Sequence, residues 1–139
     1  SPDVLMTTFD TLRIGGSSLY VHRKWMDAVS DNIANINTVN APGEDAFQER
    51  MIVAEAVQYG SGQGGVRVAR TELGSADGRM VYEPDNALAD DQGYVKYPDI
   101  DLGDQMTQLL MAQRGYQANL STIKSATEAY QQALQLGKG

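Results

Sequence analysis

The segment that decides the fold lies near the N-terminus, where residues 10–37 read DTLRIGGSSLYVHRKWMDAVSDNIANIN. Apolar side chains recur there every seven positions, and a second set of positions follows three residues after the first. The first set is Leu12, Leu19, Met26 and Ile33, and the second is Gly15, His22, Val29 and Ile36. An alternation of three and four is typical of a helix that pairs with another helix. The pattern predicts a helix from Asp10 to Asn37, which the asparagine, proline and glycine of residues 37–43 end.

The same spacing returns in the C-terminal segment, over residues 101–137. Its first set is Leu102, Leu109, Tyr116, Ile123 and Tyr130, and its second is Met106, Gln113, Leu120, Thr127 and Leu134. Asp101 stands where a helix N-cap belongs, Asp104 adds a favourable charge to the first turn, and Gly137 is a stop signal. At 1.5 Å per residue such a helix is about 50 Å long, so the protein is expected to be elongated.

The residues between the two helices predict a small β/loop insert. Residues 66–71 alternate between apolar and polar side chains, and residues 80–82 and 94–97 are two further strand candidates. The glycine-rich stretch 59–65 is expected to be a flexible loop. The fold class is therefore mainly α with a small β insert (α+β). The expected division is an N-terminal tail over 1–8, a heptad helix over 9–38, the insert over 39–100 and a second heptad helix over 101–137.

Both helices need partners, because an isolated helix with one apolar strip is marginal in water. They can pair with each other, with neighbouring subunits, or with both, and the spacing leaves these alternatives open. The side chains expected at such contacts are Leu12, Leu19, Met26, Val29, Ile33, Ile36, Leu102, Met106, Leu109, Tyr116, Leu120, Ile123, Tyr130 and Leu134.

The composition argues against several classes of function. The 139 residues include 18 acidic and 11 basic side chains, a net charge of −7, one histidine and no cysteine. An acidic balance disfavours nucleic-acid and membrane surfaces, and the lack of cysteine removes disulfides, thiol nucleophiles and cysteine-bound zinc. No apolar run is long enough to span a bilayer, and the N-terminus lacks the pattern of a cleaved secretory signal. On these grounds alone a cytosolic protein is expected.

Two local patterns could indicate enzymatic chemistry. Residues 60–65 satisfy the dinucleotide-binding pattern G-x-G-x-x-G, but a strand pattern follows it where a helix is required, so a loop is favoured. His22 has Ser18 one turn earlier and Asp27 nearby, the ingredients of a base and a nucleophile. His22 also occupies a heptad position, where a polar residue commonly sets the pairing register, and this structural role is favoured.

A third pattern could indicate a calcium site. The acidic side chains concerned are Asp85, Asp90, Asp91, Asp99, Asp101 and Asp104. The EF-hand spacing is absent, so solvated turns and a helix N-cap are the favoured explanation. We expect no catalytic residue, no cofactor, no metal and no small-molecule substrate.

The polar stretch 113–119 within the second helix has two interpretations. It is either an exposed helix face or a hydrogen-bonding contact between subunits, with Arg114 and Tyr116 as anchors. The periodicity favours neither.

Two terminal motifs resemble those of a known family. Residues 32–38, Asn-Ile-Ala-Asn-Ile-Asn-Thr, resemble the N-terminal motif of bacterial flagellar rod, hook and related axial proteins. Residues 116–119, Tyr-Gln-Ala-Asn, in a helix that ends Ala-Leu-Gln-Leu-Gly at 133–137, resemble their C-terminal motif. The positions that carry the resemblance are Asn32, Ala34, Asn35, Thr38, Arg114, Tyr116, Gln117, Ala118 and Asn119.

A further stretch narrows the resemblance within this family. Residues 81–84, Val-Tyr-Glu-Pro, and residues 90–101 are similar to those of the short proximal rod subunits, the flagellar basal-body rod protein C family. The resemblance covers most of residues 9–137. The chain departs from the usual pattern at residues 99–101, Asp-Ile-Asp in place of Asn-Val-Asp, and at Gln113 in place of alanine.

This resemblance implies a structural, non-enzymatic subunit of the proximal rod of the flagellar basal body, which transmits motor torque across the periplasm. It implies export by the flagellar type III apparatus without a cleaved signal peptide. The implied partners are copies of the same chain, other rod proteins and components of the basal-body rings and export gate. It also implies that the terminal helices pack as a coiled coil lining the rod core. The competing class is a cytosolic coiled-coil adaptor or scaffold, which would share the heptads but not the terminal motifs.

Overall fold

Along the chain, a long helix comes first, two small antiparallel sheets follow, and a second long helix comes last. The computed structural model describes residues 2–59 and 63–138. The elements are α1 (Pro2–Asn35), β1 (Arg50–Tyr59), β2 (Gln63–Leu73), β3 (Arg79–Tyr82), β4 (Tyr94–Tyr97) and α2 (Leu102–Lys138). The helices pack against each other, which confirms the predicted class: mainly α, with a small β insert.

Helix α1 begins earlier than the heptad pattern predicts. It starts at Pro2 and not at Asp10, so residues 2–8, expected to be a tail, are helical. Proline suits the first helical position, because the amide hydrogen it lacks has no partner there. Thr8 is buried, and the Phe9 ring lies 5.3 Å from that of Tyr130 in α2. The end of α2 therefore covers this part of α1, a contact that local sequence does not reveal.

Helix α2 begins as predicted and ends later. The Asp101 carboxylate accepts a hydrogen bond from the Gly103 amide at 3.0 Å, and the Asp101 carbonyl accepts one from the Gln105 amide at 3.1 Å. Asp101 is therefore the predicted N-cap. The predicted stop at Gly137 is wrong, because α2 continues to Lys138.

The two helices are antiparallel and approach closely at two glycines. Three contacts define the direction: Phe9 with Tyr130, His22 with Gly115, and Asn32 with Gln105. A methyl group placed on Gly15 would lie 2.9 Å from Ile123 Cγ1, and one placed on Gly115 would overlap the His22 ring. Only glycine fits at this helix–helix distance.

The covered face of α2 is offset by one residue from one of the two heptad sets, whose partner the spacing left open. Gln105 and Ala112 are its fully buried side chains. The set that includes them, spaced by seven, is Gln105, Ala112, Asn119, Ala126 and Ala133; the predicted set of Met106, Gln113, Leu120, Thr127 and Leu134 is exposed. In the other heptad set, Leu109, Tyr116, Ile123 and Tyr130 are half-buried, whereas Leu102 is exposed. Amide and methyl side chains permit the close approach, and the bulkier residues remain beside it.

Strands β1 and β2 form a hairpin that packs on α1. They pair antiparallel from Arg50–Leu73 to Tyr59–Gln63, with a bulge between Val53 and Ala54. Strand β2 contains the predicted strand 66–71. Strand β1 went unpredicted, because the bulge replaces strict alternation with an apolar run. Of the glycine-rich stretch expected to be a loop, residues 59 and 63–65 belong to strands, and residues 60–62 lie outside the described residues.

Strands β3 and β4 form a second sheet. Their bounds are close to those of the strands predicted over residues 80–82 and 94–97. An isolated bridge ties this sheet to the segment after α1, since the Asn40 and Lys96 backbones exchange hydrogen bonds of 2.9 and 2.8 Å. Gly93 has a φ of +89°, which closes the turn before β4 and favours glycine. Val95 of β4 and Pro98 directly after it are fully buried. In the described part of the chain, no helix combines the length and the apolar character needed to cross a bilayer.

Candidate subunit interface

A buried hydrogen-bond junction joins α1, α2 and the start of β1. The Asn32 amide nitrogen donates to Gln105 Oε1 at 3.0 Å and to the Arg50 carbonyl at 2.9 Å. Asn32 Oδ1 accepts from the Arg50 amide at 2.8 Å, and the Gln105 amide donates to Glu49 Oε1. Gln105 is 0% exposed and Asn32 is 1% exposed. Buried amides are tolerated only when their polar atoms are paired, and these are.

The middle of the helix pair is held by a histidine and a tryptophan from α1. The His22 ring fills the space that Gly115 leaves in α2. One turn further along α1, Trp25 Nε1 donates a hydrogen bond to Gln108 Oε1 at 3.1 Å. These side chains therefore hold the two helices together, which agrees with the structural role favoured for His22.

His22 and Ser18 do not form a base–nucleophile pair. His22 Nδ1 lies 2.7 Å from the Ser18 carbonyl oxygen and 3.3 Å from the Ser18 hydroxyl. A carbonyl can only accept, so Nδ1 carries the proton in the shorter contact. This nitrogen is consequently unable to take a proton from the Ser18 hydroxyl.

Three of the aspartates considered for a cation act within turns and helix starts. Asp90 Oδ1 accepts from the Gln92 and Tyr94 amides at 3.0 and 2.9 Å, which closes the turn before β4. Asp101 caps α2, and Asp104 Oδ2 accepts from Gln108 Nε2 at 2.9 Å. Within residues 2–59 and 63–138, no cluster of three or more such side chains could hold a metal ion. The turn and N-cap explanation fits these contacts.

The strongest candidate for an external contact is a strip of large apolar side chains on α2, which we call the α2 flank. Its members are Leu102, Met106, Leu110, Leu120 and Leu134. Met106 is 52% exposed and Leu120 is 41% exposed. At 3.6 residues per turn, the five side chains occupy roughly one third of the helix circumference, beside the α1-facing side. Polar side chains, including Gln113 and Lys124, separate its members along the helix. Large exposed apolar side chains aligned on one side of a helix are typical of an interaction site.

The other side chains predicted at contacts are less accessible. Val29 is fully buried, and Leu12, Leu19, Met26, Ile33 and Ile36 of the N-terminal segment are half-buried. In α2, Leu109, Tyr116, Ile123 and Tyr130 are also half-buried. Whether any of these residues touches a neighbouring subunit stays a prediction.

The residues of the two terminal motifs have different structural roles. Asn32 belongs to the buried junction. Asn35 donates to the Asp31 carbonyl at 2.9 Å, and Thr38 donates to Asn35 Oδ1 at 3.2 Å, so these residues shape the end of α1. Asn119 donates to the Gly115 carbonyl at 2.8 Å within α2.

The remaining motif residues face outward or lie partly covered. Ala34, Arg114, Gln117 and Ala118 are exposed, and Tyr116 is half-buried. Within one chain, the outward part of residues 113–119 is thus an exposed helix face. The alternative, a hydrogen-bonding contact between subunits, stays a prediction.

Sequence reasoning missed two members of the junction, Gln105 and Glu49. The signal for Gln105 was its position seven residues before Ala112 and fourteen before Asn119. A stripe of small and amide side chains can mark the covered face of a helix that packs closely, but the apolar set beside it dominated the heptad pattern. Glu49 lies in a loop and carries no periodic signal.

Among the residues that the structure describes, Tyr97 has a clearly shifted pKa. The Tyr97 hydroxyl in β4 donates to Glu83 Oε1 at 2.7 Å. This hydrogen bond, followed by desolvation and the negative charge of Glu83, raises the pKa of Tyr97 above its ordinary value. The side chain lies in the β3–β4 sheet, and its hydrogen bond to Glu83 helps to hold that sheet to the turn after β3.

Comparison with known proteins identifies relatives of the whole chain. Two family models match: "Flagella basal body rod protein" over residues 12–41 and "Flagellar basal body rod FlgEFG protein C-terminal" over residues 91–136. The flagellar basal-body rod protein FlgC of Salmonella typhimurium is 33% identical over 135 residues, which cover 96% of this chain and 98% of the relative. The FlgC proteins of Aquifex aeolicus and Bacillus subtilis are 30% and 29% identical, each over 96% of this chain and 100% of the relative.

Proposed function

The chain belongs to the flagellar basal-body rod protein FlgC family and is a structural rod subunit of the flagellar basal body, and from this premise we propose that it is a proximal rod subunit that transmits motor torque across the periplasm. The family membership confirms the resemblance carried by the two terminal motifs. It also decides against a cytosolic adaptor, which gives no reason for those motifs.

The subunit assembles with other rod and basal-body components. Its specific partners, in this proposal, are copies of itself, other rod proteins, and components of the rings and the export gate. The proposal also includes export by the flagellar type III apparatus without a cleaved signal peptide, and a role without catalysis. The names of the relatives, which describe rod proteins, support a structural role.

The α2 flank carries the proposal. Met106, Leu110 and Leu120 are too exposed to stabilise the single chain much, yet apolar side chains gain free energy when another surface covers them. In a rod, contacts between different patches of successive subunits extend helically without closing into a dimer. The flank offers apolar anchor side chains for such contacts at intervals along α2.

The close packing of α1 on α2 supports a role in carrying torque. Densely packed interiors have low compressibility and transmit strain. Gly15 and Gly115 bring the helices close together, and the Asn32–Gln105 junction joins them to the hairpin through hydrogen bonds. A load applied to one helix is thereby passed to the other and to the sheet.

The substitution Leu120→Asp tests the role of the flank. A carboxylate there remains hydrated in the single chain but would be desolvated in an interface. In cells that carry only this variant, we expect rod assembly to fail while the subunit is still exported. Electron microscopy of isolated basal bodies and detection of the exported chain measure the two steps.

The matched control is Ser125→Asp, which adds the same charge at an exposed position of α2 outside the flank. We expect it to support rods of normal length. Rods of normal length in Leu120→Asp cells would contradict the proposed interface. Circular dichroism of the purified variants checks that both keep their helices.

A further inference from the structure

The outer face of the β3–β4 sheet carries large side chains that remain open to solvent. Tyr82 and Tyr94 stand opposite each other in the register, and their rings meet edge to face at 5.4 Å. Met80 lies two residues before Tyr82 and therefore on the same side of the sheet. The exposed fractions are 48% for Met80, 63% for Tyr82 and 38% for Tyr94. We call these three residues the tyrosine patch; the opposite side of the sheet holds the buried Val95.

The loop that joins β3 to β4 gives the tyrosine patch a negative border. It folds back on the patch, because a methyl group placed on Gly93 would lie 2.7 Å from the Tyr82 ring. Asp85 and Asp91 of this loop are exposed. Residues 83–104 contain seven acidic side chains and one lysine, and within the described part of the chain none of these acids forms an ion pair. Aromatic residues are enriched at interfaces, and the unbalanced charge favours a cationic partner.

The chain itself carries a cationic surface of matching character on α1. Tyr20, Arg23 and Lys24 are exposed and lie within one turn on the same side of the helix. Lys24 Nζ lies 5.4 Å from the centre of the Tyr20 ring, a cation–π contact at the surface. Neither Arg23 nor Lys24 forms an ion pair with another described residue, whereas Arg13, Arg50, Arg67 and Arg70 each do. These three residues, the cationic patch, therefore present charge that the single chain does not neutralise.

We propose that the tyrosine patch of one subunit binds the cationic patch of a second copy of this chain. The two patches are different surfaces, so the contact is heterologous and repeats from copy to copy without closing into a dimer. A few side chains on each side bury far less than the roughly 800 Å² per partner of a stable stand-alone interface. The contact therefore supplements the α2 flank in the assembled rod and does not hold free chains together. It rests on the proposed function, which makes copies of this chain neighbours.

Charge reversal tests the contact in cells that carry a single form of the chain. Asp85→Lys with Asp91→Lys reverses the border of the tyrosine patch, and Arg23→Glu with Lys24→Glu reverses the cationic patch. Either pair places like charges opposite each other, so we expect the number of complete rods per cell to fall about tenfold or more. All four substitutions together restore opposite charges and the net charge of −7. We expect this combination to return the rod number to within about twofold of that of the unchanged chain.

A matched control separates the contact from the net charge. Arg70→Glu with Lys138→Glu makes the same change of charge as the reversed cationic patch, at exposed positions elsewhere. We expect this pair to support rods on its own and to leave the defect of Asp85→Lys with Asp91→Lys in place. Equal rescue by both pairs would overturn the inference, as would normal rods with either patch reversed. Failure of the four substitutions to restore rods, in chains that circular dichroism shows to be helical, would also overturn it.

Cross-linking identifies the partner directly, because the chain has no cysteine of its own. Gln92→Cys and Asp27→Cys place thiols beside the two patches without changing a residue of either. In cells that make both single-cysteine chains, we expect a bifunctional maleimide to link one chain of each kind in isolated basal bodies. Gln92→Cys with Ser125→Cys should give no such pair.

The cross-linking result also separates this inference from the proposed function. Intact rods that contain both single-cysteine chains but give no mixed pair would overturn the inference and leave the proposed function standing. Basal bodies of unchanged cells that lack the chain altogether would instead overturn the proposed function.

Discussion

The two ends of the α1–α2 pair share the same heptad spacing but are held in different ways. At the end near the sheets, Val29, Asn32, Gln105 and Ala112 are buried, and the hairpin and the Glu49–Arg50 segment cover the helices. At the end near the termini, the main contact between rings is Phe9 with Tyr130, and both helices remain largely open. The comparison teaches that heptad spacing identifies helices suited to pairing, whereas the depth of burial depends on what covers the pair.

The largest expected effect is a difference in the free energy of unfolding between variants at the two ends of the helix pair. Val29→Asp places a carboxylate at a position that is 1% exposed, and an unpaired buried charge destabilises by about 3–5 kcal/mol. Leu134→Asp, at a side chain 45% exposed near the open end, should lower the free energy of unfolding by less than about 1 kcal/mol. Denaturant unfolding followed by circular dichroism measures both. Similar losses for the two variants would show that the ends are not held differently.

A smaller effect should come from the close approach at the middle of the pair. Gly115→Ala places a methyl group against the His22 ring, and such overpacking costs about 1–3 kcal/mol, more than the helix propensity gained. Gly16→Ala is the control, because a methyl group there meets nothing within 4 Å. We expect Gly115→Ala to lower the midpoint of thermal unfolding and Gly16→Ala to raise it. A higher midpoint for Gly115→Ala would mean that the helices lie further apart.

The smallest effect concerns the β3–β4 sheet and depends on pH. Because the pKa of Tyr97 is raised above 10.0 in the folded chain, the protonated phenol contributes stability below pH 10 that is lost as the pH rises through the folded pKa. The free energy of unfolding should therefore fall more steeply above pH 10 in the unchanged chain than in Tyr97→Phe. Glu83→Gln removes the charged acceptor and should lower the pKa of Tyr97 towards its usual value, as followed by tyrosinate absorbance. No change of titration in Glu83→Gln would contradict this cause.

The sequence predicts the helices well, because their signals are long and local. Leu109, Tyr116 and Ile123 lie seven residues apart and are half-buried in the structure, and Asp101 is the N-cap that its side chain indicates. The candidate interface depends on the same periodicity: Met106 and Leu120 were identified as contact residues and are exposed on the flank.

The parts that sequence reasoning missed depend on tertiary contacts. Near the start of α1, Phe9 contacts Tyr130, which is distant along the chain. The covered face of α2 includes Gln105, whose buried amide pairs with Asn32 of α1. Strand β1 carries a bulge that hides its alternation. In the first two cases the deciding residue belongs to another element, and the bulge depends on how β1 pairs with β2, so a local pattern does not contain this information.

The β1–β2 hairpin is fastened to α1 at two separate places, Ser17 with the Val66 amide and Asn32 with the Arg50 backbone. Fifteen residues of helix separate these attachments, about 22 Å along the axis. A ribbon secured at both ends of such a span braces the helix against bending over that length.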